Sequence, residues 1–314
     1  MRQLNTSLGF VAAASILVLA SASADAQAMR TWVSGVGDDA NPCSRSAPCK
    51  TFARGMTQTA KDGEISVLDP GGYGTVTITR SITINGTNGA GYGSILASLA
   101  TGVIINITDP ADVRRTVRLI GLDINGTGSG IHGVRILDTN LAGTSVVIEN
   151  SRIDGFTGRG ISDERTNGGK LVVSDTTVRH TADSGIRIAA GQMNRIDATL
   201  TNVRVHNSAV AALTVNGGAK AMVSNSVFSG SAIGLDIEQA NTEASVDGST
   251  ITGNTTGLFT TGGAMLRLSN SNVAFNGTGV SGTVNSFSNN QFVANGPGGA
   301  ITPIGAPTSA TGLQ

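Results

Sequence analysis

The feature that most constrains this chain is a recurrence. From residue 115 onward an apolar residue is followed two positions later by a turn-former, and three positions after that by a second apolar residue. The second apolar positions are Ile124, Ile153, Val178, Val205, Val227, Ile251, Val273 and Phe292, spaced 19 to 29 residues apart. Five residues earlier stand Leu119, Ile148, Val173, Leu200, Met222, Val246, Leu268 and Phe287. The turn-formers between them are Gly121, Asn150, Asp175, Asn202, Ser224, Gly248, Asn270 and Asn289. Seven or eight residues after each second position comes another apolar residue: Ile131, Ile161, Ile186, Leu213, Leu235, Leu258 and Val280.

Each repeat therefore holds three short apolar stretches joined by tight turns, where Asn, Asp and Gly tolerate left-handed backbone angles. Within a stretch the alternation has period two, as in Gly185-Ile186-Arg187-Ile188, so one face is buried and one is wet. A single repeat cannot bury its own inner face, but stacked repeats bury a continuous column. The pattern predicts an all-β, single-stranded right-handed parallel β-helix (a solenoid) of about ten coils. At about 4.8 Å per coil such a rod is roughly 48 Å long. Leucine-rich repeats require a consensus that is absent, and propeller blades run to roughly 40 residues with periodic aromatics.

Composition agrees. Of 314 residues 43 are Gly, and Gly costs about 1 kcal/mol per helical position, which argues against bundles and coiled coils. Lys+Arg and Asp+Glu balance at 21 each, so no basic surplus exists for nucleic acid. Residues 1–28 read as a secretory signal peptide: Arg2, an apolar run from Leu8 to Ala20, then small residues to Ala28. That run is shorter than the roughly 18 residues of a membrane anchor, so no span is expected after its removal. A secreted or periplasmic location follows. In an oxidising compartment Cys43 and Cys49 predict a small disulfide loop, since two thiols without a nearby His do not fill a zinc shell. The expected organisation is a cap at 29–63 with this loop and a short helix over Thr51–Ala60, a solenoid at 64–296, and a flexible tail at 297–314.

The segment Trp32-Val33-Ser34 through Asn41-Pro42-Cys43, then Pro48-Cys49-Lys50-Thr51-Phe52, together with the coil pattern, resembles exported right-handed β-helix proteins of the pectin-lyase-like superfamily. Gly63 to Val67, followed by Asp69-Pro70-Gly71-Gly72-Tyr73, is similar to their first coil. The resemblance implies the fold, which serves lyases, hydrolases, epimerases and adhesins alike. The polygalacturonase-like set finds only echoes, in Gly130-Ile131-His132-Gly133 and Gly185-Ile186-Arg187, and its Asp-Asp pair occurs only at Asp38-Asp39. Pectate-lyase-like segments are absent, and no catalytic residue is carried over.

The residues themselves point elsewhere. Positions flanking the second apolar residue face outward and stack between coils. Before it they read Asp123, Arg152, Thr177, Arg204, Ser226, Thr250, Asn272 and Gln291. After it they read Asn125, Asp154, Arg179, His206, Phe228, Thr252, Ala274 and Val293. Residues 112–204 hold 22 charges and residues 216–314 hold 6, so the early coils present an ionisable strip. Asp123, Arg152, Asp154, Arg179, Arg204 and His206 are the expected ligand-binding set. Within it Arg152, Asp154, Arg179 and His206 could serve acid–base chemistry on an acidic sugar. The bland reading is a ladder of cross-strand ion pairs, each contributing about 0.2–1 kcal/mol. Asp163-Glu164-Arg165 and His180 read as turn residues. No cofactor is expected, nor a metal, because His132, His180 and His206 fall at different points of the coil. Three functions follow in order: an exported non-catalytic protein binding a polysaccharide, cell-surface glycan or partner; a lyase, epimerase or glycoside hydrolase acting on uronate polymers; and a structural or adhesive rod.

Overall fold

The computed structural model describes residues 27–87, 91–137, 143–191 and 194–304. The proposed signal peptide, up to residue 26, lies outside the described residues, and Ala28 opens the first strand, Ala28–Val33. Among the described residues the strands form three sheets of twelve, ten and nine strands. Every strand pairs in parallel with its counterpart one coil away, as Thr144–Glu149 does with Gly169–Ser174. Each coil visits the twelve-stranded sheet, then the ten-stranded, then the nine-stranded. The expected all-β solenoid is the observed one. Nine strands in the smallest sheet make eight rises, fewer than the ten coils expected. No helix among the described residues is long and apolar enough to cross a membrane.

The interior consists of apolar columns. One runs Leu119, Ile148, Val173, Leu200, Val223, Val246, Leu268. A second runs Ile124, Ile153, Val178, Val205, Phe228, Ile251, Val273. All are essentially inaccessible to solvent, and each such side chain contributes about 1.5–3 kcal/mol of burial.

Two corners share one construction. Between the twelve- and ten-stranded sheets a left-handed residue (Asn150, Asp175, Asn202, Asn225, Gly248 or Asn270) turns the chain. The next residue points inward, and at every one of these corners except that of Val203 its side chain accepts from the backbone N–H one coil below. Ser226 Oγ accepts from Val203 N at 3.1 Å, and Ser249 Oγ from Ser226 N at 3.1 Å. After the ten-stranded sheet the left-handed residues are Gly155, His180, Asn207, Gly230, Gly253, Phe275 and Ala294. A second ladder lies beneath them: Ser231 N donates to Asn254 Oδ1, Asn254 N to Asn276 Oδ1, and Asn276 N to Asn295 Oδ1, each at 3.0 Å. Backbone groups that water cannot reach are thereby satisfied coil by coil.

The register corrects the expectation in three places. In the coil at 220–229, Val223 and Phe228 fill the columns, whereas Met222 is exposed and Val227 faces outward. The left-handed residue there is Asn225 rather than Ser224. Val134, not Ile131, enters the nine-stranded column, because Asn125 and Gly130 face Asp154 and Phe156, so residues between them bulge out. Ser286, not Phe287, stacks on Leu268.

At the N-terminal end a helix, Phe52–Gln58, begins with Thr51 Oγ1 accepting from Arg54 N. It is shorter than expected, because Thr59 already begins the strand Thr59–Val67 that stacks under Ala28–Val33. Phe52 packs against Tyr73 with ring centroids 5.0 Å apart. Cys43 and Cys49 form a disulfide, and their loop bonds the edge of the first strand through Trp32 N to Cys43 O and Cys49 N to Trp32 O. At the other end Ala300–Pro303, within the segment expected as a tail, pairs with Thr283–Ser286. Residues 305–314 of that tail lie outside the described residues.

Candidate functional site

The expected strip exists as two outward columns on the ten-stranded sheet. Asp123, Arg152, Thr177 and Arg204 stack in one; Asn125, Asp154, Arg179 and His206 stack in the other. Above them the columns continue through Val227 and Ser229, not Ser226 and Phe228, which point inward. Of the six charged or imidazole residues only Asp154 and Arg179 pair with each other, at 3.0 Å. Arg152 lies over the Tyr92 ring at 4.8 Å, Arg204 donates to Asn202 at 3.1 Å, and His206 Nδ1 meets Ser229 Oγ at 2.7 Å. Burial, followed by Arg204, Arg179 and His180, holds His206 below the usual imidazole range. His180, read as a turn residue, joins the group through Nδ1 to Asp154 Oδ1 at 2.8 Å.

A denser polar cluster occupies the outer side of the nine-stranded sheet, where the sequence strip did not reach. Arg135, Ser162, Arg187, Thr214 and Asp236 stack there on successive coils. Glu164, in the segment read as a mere turn, receives Arg135 at 2.8 Å and the Ser162 hydroxyl at 2.9 Å. Burial works against its charge, but the Arg135 and Ser162 hydrogen bonds prevail and keep its carboxyl below the ordinary range. Arg159 lies 2.9 Å from Asp183 and 3.5 Å from Glu164. Its backbone N–H donates to His132 Nδ1 at 3.0 Å, so that imidazole carries its proton on Nε2 when neutral. Burial, then the Arg159 charge, lowers the His132 pKa.

Two groups of this face have unused capacity. Arg187 makes no hydrogen bond or ion pair through its side chain among the described residues. Asp236 is 6% exposed, and its Oδ1 has no partner. Its other oxygen lies 3.4 Å from the Thr214 hydroxyl, which in turn meets Ser184 Oγ at 2.9 Å. Burial, reinforced by Glu238, pushes the Asp236 carboxyl up to about 6. Arg159, Glu164, Arg187 and Gln239 border an open groove of about 490 Å³ on this face. Three guanidinium groups with a carboxyl that changes charge near neutrality suit an anionic, hydroxyl-rich ligand. Among the described residues no three His, Cys, Asp or Glu side chains converge as a metal site.

A family model for the right-handed β-helix region matches residues 191–305. No curated protein matches the sequence. Among solved structures, the pectate lyase Pel9A superposes with a TM-score of 0.66 at 14% identity, over 90% of this chain and 80% of that one. The A-module of the Azotobacter vinelandii mannuronan C-5 epimerase AlgE4 gives 0.53 at 12% identity, over 78% of this chain and 89% of that one. The enzymatically active domain of bacteriophage CBA120 tailspike protein 2 gives 0.50 at 14% identity, over 80% of this chain but 39% of that one. At such identities the likeness concerns the fold.

Proposed function

We propose that this right-handed parallel β-helix of the pectin-lyase-like type is an exported glycan-binding protein that holds an acidic polysaccharide along its nine-stranded sheet. The observation that carries the reading is Arg187, whose side chain makes no hydrogen bond or ion pair among the described residues, on the groove that it lines with Arg159 and Glu164. Arg187 would take a uronate carboxylate, a bond it now leaves unmade. Three of the structural neighbours named above are a pectate lyase, a mannuronan epimerase and a tailspike enzyme, which supports a carbohydrate partner. The disulfide suits an oxidising compartment, in keeping with export.

Calorimetric titration with oligogalacturonate tests the reading. Arg187→Ala loses one charge-assisted contact and should weaken binding about tenfold. A neutral gluco-oligomer of equal length should bind more weakly still. Equal affinity of wild type and Arg187→Ala for the acidic oligomer would remove the nine-stranded face from consideration.

One observation favours catalysis as a second reading. A carboxyl that burial pushes up to about 6, on the same outward column as the Arg187 guanidinium, has the means to move a proton next to a neutralised uronate. Lysis would generate unsaturated uronate ends that absorb in the ultraviolet, and epimerisation would exchange the sugar C5 proton with solvent deuterium. Absence of both in wild-type protein that binds the polymer assigns the face to binding alone.

A further inference from the structure

The ten-stranded sheet ends in a rim of left-handed residues that lies apart from the groove of the nine-stranded face. Each strand there is followed by one left-handed residue whose side chain position faces outward. Three of the residues in that series, Gly155, Gly230 and Gly253, are glycines and leave bare backbone. His180 and Asn207 are residue types that tolerate the conformation. Phe275 is not: a bulky side chain at φ 57 is strained, and here the ring is also 68% exposed. Folding alone gives no reason to hold an aromatic ring in water on a backbone that glycine satisfies better.

We propose that this rim is a second glycan-binding track, in which Phe275 stacks on a sugar ring while Asn207, braced by His180, hydrogen-bonds the chain further along. The geometry supports a linear ligand. His180, Asn207, Gly230, Gly253 and Phe275 stand on successive coils, so the polar and aromatic ends lie four rises, roughly 19 Å, apart. One rise is comparable to the length of one pyranose unit, which makes the rim commensurate with a run of about four sugars. Between the two ends Gly253 offers open space, since a side-chain carbon added there meets nothing within 4 Å. At the polar end a groove of about 420 Å³ lies over Phe156, with His180, Asn207 and Gly230 along it.

The rim is also preorganised. Asp154 Oδ1 accepts from His180 Nδ1 at 2.8 Å, and Asn207 Nδ2 reaches His180 Nε2 at 3.4 Å, which fixes the ring. Directly beneath, the ladder from Ser231 through Asn254 and Asn276 to Asn295 holds the residue after each rim position. Val293, 51% exposed, stands one coil above Ala274, the residue before Phe275. A flat apolar ring with a fixed polar end further along the same rim suits the alternating C–H and O–H faces of a saccharide.

The inference shares with the proposed function the premise that the partner is a polysaccharide, but it concerns a different surface. The test titrates the full protein with oligogalacturonate and cello-oligosaccharide hexamers and reads stoichiometry and affinity together. Wild type should bind two hexamers. Phe275→Gly should weaken one of the two sites at least about fivefold while raising the thermal midpoint, because glycine relieves the backbone. Phe275→Ala should weaken that site equally without the stability gain. Arg187→Ala should spare the rim site and weaken the other. One site, lost in Arg187→Ala but untouched in Phe275→Gly, overturns the rim and leaves the proposed function standing. One site lost only in the Phe275 variants does the reverse. No binding of either hexamer refutes both.

Discussion

Arg165 and Asp163 form an ion pair inside the solenoid, with side chains 2% and 0% exposed. Arg165 Nε donates to Asp163 Oδ1 at 2.8 Å and Nη2 to Oδ2 at 2.5 Å. The guanidinium also bonds the carbonyl oxygens of Thr144 and Lys170, and so closes the corner where the chain returns to the twelve-stranded sheet. On adjacent coils the position of Asp163 is held by Ile136 and Ile188. Removing one partner leaves the other charge buried. Arg165→Met alone should therefore cost about 3–5 kcal/mol in urea unfolding, and the double change Asp163→Ile with Arg165→Met should cost less than that single change.

Asp236 should make stability depend on pH in the opposite sense to an ordinary surface carboxylate. Its folded pKa is about 6 against an ordinary 3.8, so the folded state binds the proton more tightly. The stabilisation is complete below pH about 4 and is lost as pH rises through about 6. Asp236→Asn keeps the shape without the charge. It should abolish this dependence and exceed wild type by up to about 3 kcal/mol at pH 8, measured by denaturant unfolding across pH 4 to 8.

The disulfide should matter to one end of the molecule. Its loop closes six positions in sequence and holds Arg45 over Trp32 at 5.4 Å. Replacing both cysteines with Ala should cost about 2 kcal/mol. It should also change the fluorescence of the sole Trp, while the amide exchange of the central coils stays as in wild type.

Neighbouring residues in the coil at 220–229 should differ sharply. Val223→Ala empties part of a packed column and should cost about 2 kcal/mol, whereas Met222→Ala, on the wet face, should fall within about 0.5 kcal/mol of wild type. Thermal unfolding of the two variants decides between the observed register and the one shifted by a residue.

That coil also shows how far the sequence was legible. Met222-Val223 and Val227-Phe228 are both doubly apolar, so a period-two pattern fits either phase. The deciding signal was Asn225, aligned with Asn202 as a left-handed residue, which outweighs the nearby Ser224. The fold survived the slip because the other coils carry the turn-former and both apolar positions unambiguously. The charged strip was found because its residues sit at fixed offsets inside strands. The nine-stranded face was missed for the converse reason: Arg159, Glu164 and Asp183 belong to turns, and Arg159 meets Asp183 only across coils. Asp163-Glu164-Arg165 hid two roles, since Glu164 faces the groove while its neighbours pair within the core. Phe275 was invisible as a rim residue, because no periodicity distinguishes an outward left-handed position from an ordinary turn.

The two laddered corners leave the third as the place where coil length varies. Ladder partners lie 29, 25, 23, 22 and 19 residues apart at different coils, although the ladder geometry repeats. Much of the difference is absorbed between the nine- and twelve-stranded sheets, as from Asp163 to Gly169, from Ala189 to Ile196, and more briefly from Thr261 to Met265. That corner borders the groove through Thr166, Ala190 and Gly217. Insertions can therefore rebuild the wall of the nine-stranded face without shifting a single rung of the core or the rim. Descendants of this chain have a route to new ligands that costs them little stability: lengthen the seam, keep the ladders.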